Sequence, residues 1–553
     1  MKKWSITLLV LLLSLSAILT GCKSNEQTSG ENVESSKISG AGEFPIVEEK
    51  ITLKVLAAQR AFVEDYATNE FTKWFEEKTN IHLEWEVVPE GDESKQKLNL
   101  TLASGDYPDI YLNMPISAQQ LEVYGSQGAF LPLNDLIDKY GVETKRVFEQ
   151  KPSAKEMATS NDGNIYTMPS VNECYQCLYP VKLWINQAWL DKLGLDMPTT
   201  TEEYYQVLKA FKTQDPNGNG KMDEVPLTGI KNSWNTEIIP SLMNSFIFTK
   251  SVVYDGAVKY TYLNDEKIDV TFNKPEWREG LEYMRKLYAE GLISPESFTQ
   301  DQNQALAISE NEKALGSIPA GYQLVFTNLE SGLYKDYAAV PPLKGPNGAQ
   351  YAEKLNNDGV SLGKFVISSS TKHPEAAFRL ADALYNDDVM MRAIYGVEGE
   401  DWRAAKEGEV GLDGSQAKYF EFDSGEEMQN NHWNKAAPEF QTKEFLNSIA
   451  LGNAENIKDN VIYIVNQETD KYVPHVDEEI LVPPLILNDQ QSQEILDIQK
   501  SIYDYVEEMN VRFIIGDADL DKEWDTYIET INGMNLQGFL DILQESYDAR
   551  YGN

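Results

Sequence analysis

Between Ile51 and Leu112 the apolar residues switch repeatedly from one period to another, and that alternation limits the possible folds more than any other stretch of the chain. Ile51, Leu53 and Val55 alternate with polar residues and lead into Ala57 and Ala58, the period of two expected of a strand. Phe71, Trp74, Phe75 and Lys78 then recur at helical spacing, and Ile81, Leu83, Trp85 and Val87 alternate again up to Pro89. Leu98, Leu102 and Ala103 mark a second helix that stops at Ser104-Gly105-Asp106, and Ile110-Tyr111-Leu112 is a short apolar strand. Strand, helix, strand, helix, strand over about 60 residues predicts βαβ units, hence an α/β fold with a mostly parallel, helix-covered sheet.

The start of the chain points to export. Lys2 and Lys3 precede an apolar run from Ile6 to Leu19 that is too short for a stable membrane span, so residues 1–21 read as a secretory signal. It ends in Leu19-Thr20-Gly21-Cys22, which looks like the lipobox of bacterial lipoproteins. On that likeness Cys22 is acylated on sulfur and becomes the mature N-terminus, and several acyl chains (palmitate among them) hold the protein on the extracellular face of the cell membrane. Residues 22–48 are rich in Ser, Gly, Glu and Asn with little to bury, the composition of a flexible tether. The remaining body, roughly 500 residues, is long enough for more than one core.

With 48 Lys and Arg against 88 Asp and Glu the net charge is −40. That argues against nucleic acid or an anionic bilayer surface as partner, because both repel an acidic protein. Besides Cys22 only Cys174 and Cys177 occur. A local disulfide suits an exported chain, with two free thiols as the alternative, and no strand-to-helix motif supports a redox pair. His82, His373, His432 and His475 are scattered, so the sequence offers no zinc cluster.

Asp215-Pro216-Asn217-Gly218-Asn219-Gly220-Lys221-Met222-Asp223-Glu224 sets oxygen-bearing side chains at every second position around glycines. An EF-hand-type loop takes side chains at positions 1, 3, 5 and 9 and the carbonyl of position 7. Here those are Asp215, Asn217, Asn219, Asp223 and the carbonyl of Lys221. Pro226 stands where the bidentate Glu of a full EF-hand belongs, which leaves Glu224 as the nearby stand-in. An ion-free Asn-Gly turn is the alternative.

Leu102-Ala103-Ser104-Gly105-Asp106-Tyr107-Pro108-Asp109-Ile110 resembles the "LASGD-x-PD-I" stretch of family 1 extracellular solute-binding proteins, the lipoprotein receptors of carbohydrate ABC importers. Gly128 to Asn134 resembles the family's "G-x-L-x-PL" segment, Asp162 to Pro169 its "DG-x-IY-x-x-P" hairpin, and Trp184 to Leu190 its "W-IN-x-x-WL". Each is weak alone, but their order and spacing make the set specific. Thr200 and Glu203 then form a capping box, and the helix it opens runs into the calcium-type loop. That combination is similar to the subgroup that includes oligoalginate-binding proteins, as is Gly396 to Trp402 to its "G-x-EG-x-x-W". The resemblance covers nearly the whole mature chain.

It implies a two-lobe periplasmic-binding-protein-like fold with hinge-linked lobes and a helix-rich C-terminal region. Residues 49–170 would begin lobe 1 and 171–345 lobe 2; 346–395 would return to lobe 1, and 396–553 would complete lobe 2. It also implies a structural calcium on Asp215, Asn217, Asn219, Lys221, Asp223 and Glu224. The ligand is expected beyond the carboxyl ends of the strands, at Gln59, Arg60, Asn113, Ser170, Asn172 and Glu173 of lobe 1. Lobe 2 would add Trp184, Trp234, Asn235, Tyr322, Tyr395, Glu398 and Trp402. Aromatic platforms beside amides and carboxylates suit sugars, whereas Trp74, Trp85 and Trp524 lie on apolar faces and read as core. The expected protein is therefore a monomeric receptor, not an enzyme, that delivers an oligosaccharide to ABC permease subunits. The alternatives are a same-fold receptor for peptides or another solute, and a calcium-stabilised polysaccharide-degrading enzyme using paired carboxylates.

Overall fold

The computed structural model describes residues 37–60, 62–231, 233, 235–251, 258–422 and 428–552. The expected signal, Cys22 and most of the tether lie outside these residues, as does Trp234. Among the described residues no helix is long and apolar enough to cross a membrane.

The alternating stretch forms the expected elements. Strands Ile51–Gln59, Ile81–Pro89 and Ile110–Leu112 are connected by helices Glu70–Thr79 and Asp92–Ser104. The Asn69 side chain accepts from Phe71 N to open the first helix, and Gly105 in the left-handed region closes the second. Val55, Ala57, Ile110 and Leu112 face a core that holds Phe71 and Phe75. Leu56, Ala58 and Tyr111 face the opposite layer with Leu98 and Leu102. A strand buried on both faces is what a helix-covered sheet requires.

The first sheet has six strands, in the order Phe440–Gln441, Thr167–Asn172, Val360–Ile367, Ile110–Leu112, Ile51–Gln59, Ile81–Pro89. It is mostly parallel, with five of its six strands running in one direction, and the returning strand Val360–Ile367 alone runs antiparallel to both its neighbours. The second sheet has four strands, Tyr337–Val340, Lys182–Asn186, Leu315–Ala320 and Val225–Leu227, and only its last pair is parallel. Helix Pro275–Ala289 and the C-terminal helices Asp489–Ile515, Leu520–Gly533 and Leu536–Tyr551 share the core beside it. Trp277 donates from Nε1 to Asn510 Oδ1 at 3.0 Å across that junction.

Two boundaries differ from the sequence expectation. A tether reaching residue 48 is too long, because Ile46 and Val47 are fully buried in the first core and Arg379 donates to the carbonyls of Ser39 and Glu43. Residues 396–553 do not all complete the second lobe as expected, because Trp433, Ala436, Phe440 and Ile449 pack in the first. Trp433 sits edge-on to Phe71 at 4.7 Å and to Trp85 at 5.4 Å, with its Nε1 on Thr72 Oγ1 at 2.7 Å. The chain re-enters the second lobe by helix Val461–Thr469, whose Val465 is buried beside Trp184 and Ile318.

Candidate functional site

Five strands of the first sheet run in one direction, so Gln59, Pro89, Leu112, Asn172 and Gln441 all emerge at the same edge. In open α/β sheets that edge is where ligands sit. Gln59 donates from Nε2 to the carbonyl of Val63. Arg60 donates from Nε to Asn434 O at 3.2 Å and pairs with Glu90 at 3.4 Å. Asn113, in the left-handed region at φ 52°, accepts on Oδ1 from Lys364 Nζ at 2.7 Å. Lys364 was missed from sequence because its place at the edge depends on the strand that returns antiparallel.

Asn172 and Glu173 stand where the chain leaves the first lobe. Asn172 Nδ2 donates to Glu439 and Gln441, and Asn172 Oδ1 accepts from Cys174 N at 3.1 Å. Glu173 accepts from Lys151 Nζ at 2.7 Å and from Lys443 N at 2.8 Å. Lys151 also reaches Asp358 at 2.8 Å on the segment that returns from the second sheet. Burial works against the charge of Lys151, but the hydrogen bonds to Asp358 and Glu173 prevail and raise its pKa. Cys174 and Cys177 are joined by a disulfide within this same crossing.

Asn172, Glu173 and Tyr395 line a cavity of about 500 Å³ together with the disulfide and with Ile462 and Asn466 of the second lobe. Asn466 donates from Nδ2 to Gln176 Oε1 at 2.9 Å and to Ile462 O, while its buried Oδ1 has no partner among the described residues. A second cavity of about 520 Å³ lies between Asn99, Ser117 and Gln120 of the first lobe and Ile495 and Gln499 of the long C-terminal helix. These amides sit on helices whose apolar pattern is otherwise ordinary, so nothing in the sequence singles them out.

The second lobe supplies fewer of the expected residues. Tyr322 and Asn235 follow strands Leu315–Ala320 and Val225–Leu227 at their carboxyl edge, half-buried, and Asn235 Nδ2 is fixed on Pro180 O at 2.8 Å. Trp184 offers no ring face: it is 0 % exposed in the core, with Nε1 on Ala320 O at 3.0 Å. Tyr395 and Trp402 belong to the first lobe. Tyr395 is buried, with Gln441 Nε2 on its hydroxyl at 2.8 Å. Trp402 is half-buried, donates to Gly396 O at 3.0 Å and meets Tyr419 edge-on at 5.5 Å. Glu398 is exposed. Ser170 is buried and accepts from Glu439 N at 3.2 Å, a structural bond.

The calcium-type loop follows helix Thr201–Thr213, which the Thr200 and Glu203 capping box opens as expected. Asp215 accepts from the backbone N–H groups of Gly218, Asn219 and Gly220, and Gly220 turns the chain at φ +78°. Asn219 and Asn217 donate from their amides to Asp223. Glu224 is 9 % exposed, and among the described residues neither carboxylate oxygen has a hydrogen-bond partner. Burial first, then the nearby Asp215 and Asp223, raise its pKa. An orphaned buried carboxylate beside two others fits a cation in the loop. Among the described residues, though, no three His, Cys, Asp or Glu converge on one point; Asp215 and Asp223 are occupied by amides.

The whole chain is 29 % identical to the fructooligosaccharide ABC transporter substrate-binding protein FusA of Streptococcus pneumoniae, over 98 % of both chains. It is 24 % identical to the polygalacturonan/rhamnogalacturonan-binding protein YtcQ of Bacillus subtilis, over 76 % of this chain and 78 % of that one. The solved structure of FusA in complex with kestose superposes with a TM-score of 0.74 at 26 % identity, covering 90 % of this chain and 99 % of that one. Residues 55–391 match the bacterial extracellular solute-binding protein family, and the chain belongs to that family.

Proposed function

We propose that the protein is a lipid-anchored receptor on the outer face of the cell membrane that captures an oligosaccharide between its lobes and delivers it to an ABC permease. The observation that carries this reading is the full-length likeness to a fructooligosaccharide-binding protein. The geometry supports it, with amides and carboxylates gathered at the carboxyl edge of the first sheet and a cavity that draws on both lobes. The protein acts as a monomer and catalyses nothing. It binds, closes about its hinge and presents the closed form, a population shift driven by the ligand's preference for that form.

Asp215, Asn217, Asn219, the Lys221 carbonyl, Asp223 and Glu224 would hold calcium in this scheme, as a fixed clip in the second lobe away from the ligand. When bound, the ion would offset two of the three carboxylate charges and give the Glu224 oxygens a partner that no described residue supplies.

A thermal-shift screen with kestose, longer fructans, oligogalacturonides and a peptide mixture tests the receptor reading. A glycan at 100 times its dissociation constant should stabilise the protein by about 2.7 kcal/mol. A shift with peptides alone overturns the substrate class, and release of shorter sugars by the purified protein overturns the receptor itself.

A further inference from the structure

Phe62 stands three residues beyond Gln59, at the carboxyl end of an interior strand of the first sheet, with φ +64° and 39 % of its surface exposed. Both properties are unusual for a large aromatic residue. The left-handed region crowds Cβ against the backbone, and a bulky residue there is an outlier that costs free energy. A ring left 39 % exposed forgoes part of the burial that would offset that cost.

The conformation is nonetheless held on every side. Gln429 N donates to Phe62 O at 2.9 Å, and Glu64 N donates back to Gln429 O at 2.9 Å. Arg60 N donates to the hydroxyl of the buried Tyr66 at 3.2 Å, Gln59 Nε2 donates to Val63 O, and Val63 is itself buried in the first core. Hydrogen bonds that hold Phe62 and Glu64 to Gln429 while leaving a costly, partly exposed ring point to a use outside the folded chain.

The surroundings indicate that use. Gln59 and Arg60 are adjacent hydrogen-bonding side chains, with the Arg60 guanidinium oriented by Asn434 O and Glu90. Met428, next to the residue that pins Phe62, adds an exposed apolar surface. A flat apolar face beside polar groups matches a sugar ring, which presents C–H bonds on one face and hydroxyls around its rim. We propose that Phe62 is a stacking platform for one ring of the bound oligosaccharide and sets which rings the mouth of the cleft accepts, with Gln59 and Arg60 bonding the hydroxyls of that ring. The inference rests on the oligosaccharide reading above.

The test compares wild type, Phe62→Gly and Phe62→Trp in the full chain, by titration calorimetry with kestose and with oligogalacturonides and by melting without ligand. Glycine adopts φ +64° freely and removes the ring. Phe62→Gly should bind the glycan that wild type binds roughly tenfold more weakly, while Phe62→Trp stays within about threefold. The ligand-free Phe62→Gly protein should melt no lower than wild type, because the strain is relieved. Unchanged affinity in Phe62→Gly overturns the platform. So does a joint loss of affinity and melting temperature that Phe62→Trp does not restore, since that marks a packing role. Wild type that binds peptides but neither glycan class overturns the oligosaccharide reading, and the sugar platform with it.

Discussion

Lys182 shows how a single residue escapes a sequence reading. In Lys-Leu-Trp-Ile-Asn it reads as the polar end of a strand, yet it is 0 % exposed, because the crossing segment folds over it and its Nζ donates to Tyr179 O at 2.6 Å and Gln176 O at 3.3 Å. Trp184 in the same strand is expected in the cleft, but its neighbours Leu183 and Ile185 do not reveal that pairing with strand Leu315–Ala320 buries the ring and fixes Nε1 on Ala320 O. Burial pushes the Lys182 pKa down to about 7, while an unfolded lysine titrates near 10.4. Between those values the unfolded chain binds more protons than the folded one, so stability rises with pH across that window. Below about 7 the folded chain must bury an ammonium, and the penalty is present in full. In urea denaturation, wild type should therefore gain stability relative to Lys182→Met as pH rises from about 7 to about 10. A difference that stays flat over that range would show that the amine reaches water.

At the scale of elements the local signals were sound. The capping box at Thr200 and Glu203, the left-handed glycine after the second helix and the alternating strands depend on neighbours within a few positions, and each formed as expected. The calcium-type loop is legible for the same reason, but its donors are held among themselves, with Asn219 and Asn217 amides on Asp223. Those contacts are the ones a bound cation would replace, since Asn can turn its carbonyl oxygen inward. If the loop is a stabilising clip, calcium at 100 times its dissociation constant should raise melting temperature by roughly 5–10 °C for a lobe of this size. Glu224→Gln should remove most of that rise. Chelation should lower melting temperature far more than glycan affinity, and the reverse outcome would place the ion's influence in the cleft.

At the scale of the whole molecule the division into lobes was partly legible. The family resemblance implied a return to the first lobe within residues 346–395, where Val360–Ile367 joins the first sheet, but the place of residues 396–449 was not legible, because Phe440–Gln441 is a two-residue strand with no period to read. What joins the lobes is also non-local. Three segments cross between them, and Lys151 ties the first to the second through Glu173 and Asp358, while Glu173 accepts from Lys443 N at the start of the third. Asn172 N donates to Gly359 O at 2.8 Å, and a Cβ at Gly359 would lie 2.4 Å from Asn172 O, so the first two crossings are in close backbone contact. Lys151→Met would leave Glu173 and Asp358 facing each other without the cation, at a cost of about 1–3 kcal/mol. If this cluster limits how far the lobes part, ligand-free Lys151→Met should show a larger radius of gyration in X-ray scattering than wild type. A bound glycan should bring the two back to the same value. Its affinity should fall in proportion to the lost population of the closed form, and Lys151→Arg should retain most of both properties. Equal ligand-free dimensions in wild type and Lys151→Met, with only stability reduced, would assign the cluster to the folding of the first lobe and leave the hinge to the backbone alone.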